Sequence, residues 1–347
     1  MAPIPIIRSV RWADAGDAVR IIDQRALPGR LLERDLRTVD EVCDSITTLA
    51  VRGAPAIGIV GAMGLVASVA HTRPGSRDAL IETCRINADR IRATRPTAVN
   101  LPWALDRMLR RADGAGGSAP DVLDALRDEA TRILEEDRAM CRRIGQFGSD
   151  LIPQGARVLT HCNTGALATG GIGTALGAIY VAAESDKAPR VFADESRPLL
   201  QGSRLTAWEL TRAGIPVTIL PDAAAAPLMR SGGVDLVIVG ADRITSGGDV
   251  ANKIGTYALA LAARANAIPF YVAAPWSTFD VAISSGDDIV IEQRGAEELL
   301  LGFPDRAGEI APREAAVFNP AFDVTPAELI TAIVSDRGVH RPPYRFG

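Results

Sequence analysis

Two residues in this chain have the types and settings that acid–base chemistry needs. Cys162 stands in His161-Cys162-Asn163-Thr164-Gly165, directly after the apolar run 157–160. Turns at Thr164-Gly165 and Gly170-Gly171 place backbone N–H groups in its vicinity, and a helix start nearby would lower its pKa. Apolar burial would push the other way, and a lone cysteine is commonly an inert core residue. Asp242 closes "VDLVIVGAD". Its apolar approach predicts a dry setting, in which a carboxyl group keeps its proton near neutrality and serves as a general acid. The plain alternatives are an N-cap, a turn residue or a partner for Arg243.

Three segments are suited to anions. Arg52-Gly53-Ala54-Pro55 leads into a helical run with Pro55 in its first turn, where free N–H groups bind phosphate. Arg95-Pro96-Thr97-Ala98-Val99-Asn100 has the same form, and Asn252-Lys253 heads another helical stretch. The plain reading of each is a cap or a turn. None is a Walker loop, and no G-x-G-x-x-G follows a strand, so nucleotide binding is not supported. Trp103 and Trp276 lie near these segments as candidate apolar walls, and Trp208, on an expected helix over 203–213, reads as core.

The elements that must position these residues differ between the two halves of the chain. Residues 1–150 read as a mainly helical domain with a β-hairpin over 6–23, a capping box at Thr38 and Glu41, and a long amphipathic connecting helix from Ala119. Residues 151–347 alternate short apolar strands with helical stretches. Strands are expected at 157–161, 190–194, 216–220, 234–242, 269–274 and 289–292, the pattern of a parallel α/β sheet covered by helices on both faces. Ligands of such sheets bind beyond the carboxyl ends of the strands. His161-Cys162-Asn163, Glu195-Ser196-Arg197-Pro198 with Gln201, Gly240-Ala241-Asp242-Arg243 and Pro275-Trp276 all follow strands. Their convergence on one edge argues more strongly than any single motif.

Composition narrows the function. A net charge of -4 with 47% hydrophobic residues excludes a nucleic-acid footprint and suggests no membrane surface. Residues 53–72 are uncharged over about a membrane-spanning length, but they are rich in Gly and Ala, which favours a closely packed core helix. The four cysteines include no C-x-x-C pair and no zinc-type spacing to histidine, so no metal is expected. The first residues lack a basic then apolar leader pattern, and the expected location is the cytoplasm with reduced thiols.

Together "RGAPAIG", "RPTAVN", "THCNTGALATGGIGTALG", "DESRPLLQGSRLTAWEL", "GADRI…GDVANKIGTY" and "FNPAFDVTPAELITAIVSDRG" resemble, in order and over nearly the whole chain, the S-methyl-5-thioribose-1-phosphate isomerases of methionine salvage. Their wider superfamily includes ribose-1,5-bisphosphate isomerases and regulatory subunits of a translation-initiation exchange factor. The resemblance implies a helical N-terminal domain, a Rossmann-like α/β domain, a homodimer, and conversion of 5-methylthioribose 1-phosphate to 5-methylthioribulose 1-phosphate without metal or organic cofactor. It places the catalytic pair on Cys162 and Asp242. It places substrate contacts on Arg52, Gly53, Ala54, Arg95, Gln201, Asn252 and Lys253. Ser196 stands where the family often has Thr. The rival functions are ribose-1,5-bisphosphate isomerisation and non-catalytic binding of a sugar phosphate.

Overall fold

A computed structural model describes residues 7–14, 16–95, 99–301 and 308–347. The chain divides into two compact units, one of residues 7–140 with 166–171, the other of residues 141–165 with 172–347.

In the first unit, β1 (Val10–Trp12) and β2 (Val19–Ile22) form the expected antiparallel hairpin. A third strand, β3 (Glu33–Leu36), pairs with β2. Its charged sequence hides it, because its stabilising partner is across the strands: Asp35 lies opposite Arg20 and accepts from its guanidinium at 2.6 Å. Helices α1 (Val39–Thr47), α2 (Ala54–Thr72), α3 (Arg77–Arg92), α4 (Asn100–Gly114) and α5 (Ala119–Ser149) follow, the residues of α5 from 141 onward belonging to the second unit. Thr38 and Glu41 close a capping box on α1. Of α2, residues 56–69 are buried. This helix alone among those described is long and apolar enough to span a membrane by length and composition, yet it is the core of the unit. Its glycines explain the tight packing: a Cβ at Gly61 would lie 2.4 Å from the Leu101 side chain of α4.

The second unit runs β4 (Arg157–Thr160), α6 (Ala175–Glu184), β5 (Arg190–Asp194), α7 (Ala207–Arg212), β6 (Val217–Leu220), α8 (Ala225–Arg230), β7 (Leu236–Val239), β8 (Arg243–Thr245), β9 (Val250–Lys253), α9 (Thr256–Ala265), β10 (Phe270–Ala273), β11 (Phe279–Asp280), α10 (Glu297–Leu300), β12 (Phe322–Thr325), β13 (Ala332–Ser335) and β14 (Gly338–His340). Seven strands form one sheet in the order β14-β13-β10-β7-β4-β5-β6, parallel except for β14. One apolar cluster includes α6 and another α9, with alternate residues of β4 and β7 divided between the two clusters. The expected α/β sheet is therefore present.

Three expectations change. The segment 289–292 is not a strand: Val290 is 79% exposed, so its alternation faces no core. The sheet is instead completed by β13, buried at every position, and by β14. The strand expected over 234–242 stops at Val239. Asn252 and Lys253 lie on β9 of a separate small sheet, β11-β8-β9-β12, and α9 begins only after Gly255, at φ +105°.

Candidate active site

Chain order climbs outward from the centre of the large sheet in both directions, so the switch point lies between β4 and β7. Leu159 pairs with Val237, which sets the carboxyl ends of these strands side by side. Ligands of open α/β sheets bind at this place. Cys162 is the second residue beyond β4, and Asp242 the third beyond β7. The loops touch: a Cβ at Gly240 would lie 2.5 Å from Thr164 Cγ2.

Cys162 is 7% exposed and held at φ +61°, a left-handed conformation that a non-glycine residue adopts at a cost. Its neighbours hold it there. Its N–H donates to Ser196 Oγ at 2.7 Å, and its carbonyl accepts from Thr206 Oγ1 at 2.6 Å. Ser196 is itself at φ +64°. Both oxygens of Asp222 clamp that turn, accepting from the N–H groups of Ser196 and Arg197. Asn163 donates to Thr206 and to buried Glu209, which also accepts from Tyr180. A turn of π-helix, 202–206, carries Thr206. A Cβ at Gly202 would fall 1.6 Å from the Asp194 carbonyl oxygen, so only glycine permits this approach.

Asp242 is half-buried, more open than the dry setting its sequence suggests, because the loop between β7 and β8 leaves the sheet before reaching it. Its N–H is fixed by the Ala251 carbonyl at 2.9 Å. It precedes a strand, not a helix, and Arg243 pairs with Asp280 at 3.6 Å.

Gln201 is 4% exposed, and its Oε1 has no hydrogen-bond partner among the described residues. A buried, unsatisfied acceptor is suited to a substrate hydroxyl. Asn252 is buried and donates to Thr256. Lys253 Nζ donates to the Ala321 carbonyl at 2.8 Å and lies 4.7 Å from the centre of the Phe322 ring. Those five residues lie in the α/β unit. Arg52, Gly53, Ala54 and Arg95 lie in the helical unit, where they surround the start of α2 and the end of α3. Arg52 Nε donates to Gln24 Oε1 at 3.3 Å, and Gln24 donates to the Leu167 carbonyl at 2.7 Å. Gly53, at φ +95°, lies so close to Ala168 that a Cβ would meet its backbone carbonyl oxygen at 2.6 Å. Arg95 is half-buried, and Pro96, Thr97 and Ala98 lie outside the described residues.

The tryptophans fall elsewhere or stay plain. Trp276 stacks on Phe279 at 4.5 Å under the Arg337 guanidinium, in an aromatic cluster with Phe346. Trp103 is 41% exposed on α4. Of the other cysteines, Cys84 is fully buried in the helical core, and burial pushes its thiol up to about 12.

Sequence reasoning missed a trio, buried His161 and Asp194 with half-buried Asp222. Metal-like in composition, it is poorly suited to a metal. His161 Nδ1 lies 3.0 Å from Asp194 Oδ2, and Nε2 lies 2.8 Å from the Ile254 carbonyl oxygen. Burial opposes charge on this ring, but the hydrogen bond and charge of Asp194, with Asp222 and the Ile254 carbonyl, raise its pKa above the ordinary histidine value. Both ring nitrogens are already engaged, one by a carboxylate oxygen and the other by a backbone carbonyl, which leaves neither directed at a metal. Only the adjacency of His161 to Cys162 signalled it.

The family model described as the initiation factor 2 subunit family matches residues 50–342. The methylthioribose-1-phosphate isomerase of Gemmatimonas aurantiaca is 53% identical, over 99% of this chain and 96% of its own. That of Pelotomaculum thermopropionicum is 49% identical, over 98% and 92%. The crystal structure of 5-methylthioribose 1-phosphate isomerase from Pyrococcus horikoshii is 40% identical, covers 98% of this chain and 94% of that one, and superposes with a TM-score of 0.91. The A. fulgidus structure titled translation initiation factor eIF-2B, subunit delta, is 45% identical over 97% of both chains, with a TM-score of 0.88.

Proposed function

The chain belongs to the initiation factor 2 subunit family, and from that premise we propose that it is an aldose–ketose isomerase converting 5-methylthioribose 1-phosphate to 5-methylthioribulose 1-phosphate in methionine salvage. Relatives of about half identity over nearly full length carry that isomerase's name. The observation that carries the reading is the placement of Cys162 and Asp242 beyond adjacent strand ends at the sheet's switch point.

The substrate's phosphate sits on C1, so its ring does not open to an aldehyde by simple equilibration. Asp242 protonates the ring oxygen as its bond to C1 breaks. Hydrogen then moves from C2 to C1. On one route the Cys162 thiolate takes the C2 proton and gives an enediol-type intermediate. On the other, hydride passes from C2 to C1 and Cys162 stabilises the cationic centre. On the first route a proton is returned to C1 as the C2 hydroxyl loses its own, and on the second the C2 hydroxyl loses its proton after hydride transfer, so either route is redox-neutral overall and needs no external oxidant or organic cofactor. Gln201 accepts from a substrate hydroxyl. Arg52, Gly53, Ala54, Arg95, Asn252 and Lys253 are substrate-binding residues, with Arg52, Arg95, Lys253 and helix N-termini serving the phosphate. The enzyme works as a cytoplasmic homodimer, its mass in solution being the check.

Purified protein is offered methylthioribose 1-phosphate, ribose 1,5-bisphosphate or buffer, and ketose formation is followed. Turnover of the first alone is expected. Preference for the bisphosphate would redirect the assignment, and no turnover would favour the binding-subunit reading, which the name of the A. fulgidus protein supports. In D₂O, solvent deuterium in the product indicates the proton-transfer route.

A further inference from the structure

Behind Cys162 lies a buried ionisable pair that this chemistry leaves unused. His161 and Asp194 are 1% and 2% exposed. The ring nitrogen Nε2 faces a carbonyl oxygen, which only accepts, so Nε2 carries a proton. Two facing lone pairs at the 3.0 Å separation of Nδ1 and Asp194 Oδ2 would repel, so a second proton lies between them. The pair is therefore neutral as a whole, with both ring nitrogens and Asp194 Oδ2 hydrogen-bonded and only Asp194 Oδ1 without a partner among the described residues, and buried ionisable groups held in this way fix a geometry.

Its anchors come from three strand ends. His161 follows β4, Asp194 closes β5, and Ile254 follows β9 next to Asn252 and Lys253. The ring is wedged over Gly255, where a Cβ would approach Cε1 to 2.9 Å. Asp323 fastens the same turn by accepting from the N–H groups of Gly255 and Tyr257. A return path leads to the thiol residue: the Cys162 N–H donates to Ser196 Oγ, which donates to the Asp194 carbonyl at 3.1 Å. The connections form a closed circuit around the residue next to His161.

We propose that His161 and Asp194 are positioning residues, a hydrogen-bonded strut that holds Cys162 in its left-handed conformation and in register with the Asn252–Lys253 strand end. The proposal rests on the isomerase reading for its effect on turnover, but not for its effect on the thiol's accessibility.

The test uses the full chain with His161→Ala, His161→Gln, Asp194→Ala and Asp194→Asn, each well below its own Tm. Two quantities are measured: kcat and KM for methylthioribose 1-phosphate, and the rate at which iodoacetamide labels Cys162, read by peptide mass. Both alanine variants are expected to lose about 10- to 100-fold in kcat with a raised KM, since a misplacement of about 1 Å carries that cost. They are expected to label Cys162 about fivefold or more faster, because the loop that buries it is released. Asp194→Asn keeps a hydrogen bond to a neutral imidazole and stays within about threefold of wild type in both. His161→Gln, which cannot span both anchors, behaves like the alanine variants and replaces His161→Ala if that variant does not fold. Alanine variants that lower Tm but leave kcat and labelling unchanged overturn the proposal. So does an Asp194→Asn variant as damaged as Asp194→Ala, which would make charge the active feature. If wild type shows no turnover, the isomerase reading fails, and the labelling rates still decide the strut.

Discussion

The two ends of the large sheet use charge in opposite ways. At the amino ends, the Arg157 N–H and guanidinium bind Asp235 at 2.7 and 3.0 Å, with side chains 41% and 37% exposed. At the carboxyl ends, His161 and Asp194 meet at 3.0 Å with almost no exposure. Water and salt can replace the first pair, so its loss costs little. Nothing but protein can satisfy the second, so its geometry is enforced. The same end holds positive φ at Cys162, Ser196 and Leu200. Strain and buried charge gather at the candidate site, and the other end of the same strands is ordinary surface.

That contrast is open to attack in order of effect. The strongest test is removal of the two residues proposed to react: Cys162→Ser and Asp242→Asn should each cut kcat by about 10²–10⁴-fold with little change in KM. Near-normal turnover in either would take that residue out of the mechanism. Next is Ser196→Ala, which strips the acceptor from a buried Cys162 N–H. A stability loss of about 1–3 kcal/mol, read by denaturant unfolding, is expected, with kcat reduced about tenfold. An unchanged midpoint would mean that water takes the hydroxyl's place.

The pH dependence of Tm should separate the ends by sign. His161 has a raised pKa, so its charge stabilises the fold below the ordinary value of about 6.5 and ceases to do so as pH rises through the raised value. The Asp235 carboxyl is held below its usual range by the Arg157 hydrogen bond, so its contribution exists above the ordinary aspartate value and fades as pH falls through the lowered one. The Tm gap between wild type and His161→Gln should therefore be widest in mild acid and narrow toward alkaline pH. A gap that widened with pH would contradict the paired imidazolium. Smallest of all, Arg157→Ala should leave kcat within about twofold and Tm within about 2 °C near neutrality, with its effect confined to acid. A large loss there would erase the contrast between the two ends.

Much of this was legible before any coordinates. The strand-end positions of Cys162 and Asp242 were readable because each follows an apolar run. The capping box at Thr38 and the long helix from Ala119 were readable because their signals are local. The charged strand β3 was not, since its support is a cross-strand ion pair. Segment 289–292 misled because alternation shows amphipathicity without showing that a core lies opposite. Asn252 and Lys253 passed for a helix start because β9 is only four residues long and Gly255 breaks it just before α9.

By itself the sequence determined the succession of strands and helices and the identity of the residues at the strand ends, because hydrophobic period and turn chemistry act over a few residues. Strand order belonged to tertiary structure alone. Pairing of Val158 with Leu236 brings the Cys162 and Asp242 loops together across 80 residues of chain, through contacts that no local pattern encodes. Pairing of Thr160 with Ala193 sets His161 beside Asp194 in the same way. Burial then turned that adjacency into a fixed hydrogen-bonded pair, because a charge shut away from water must find its partner within the protein.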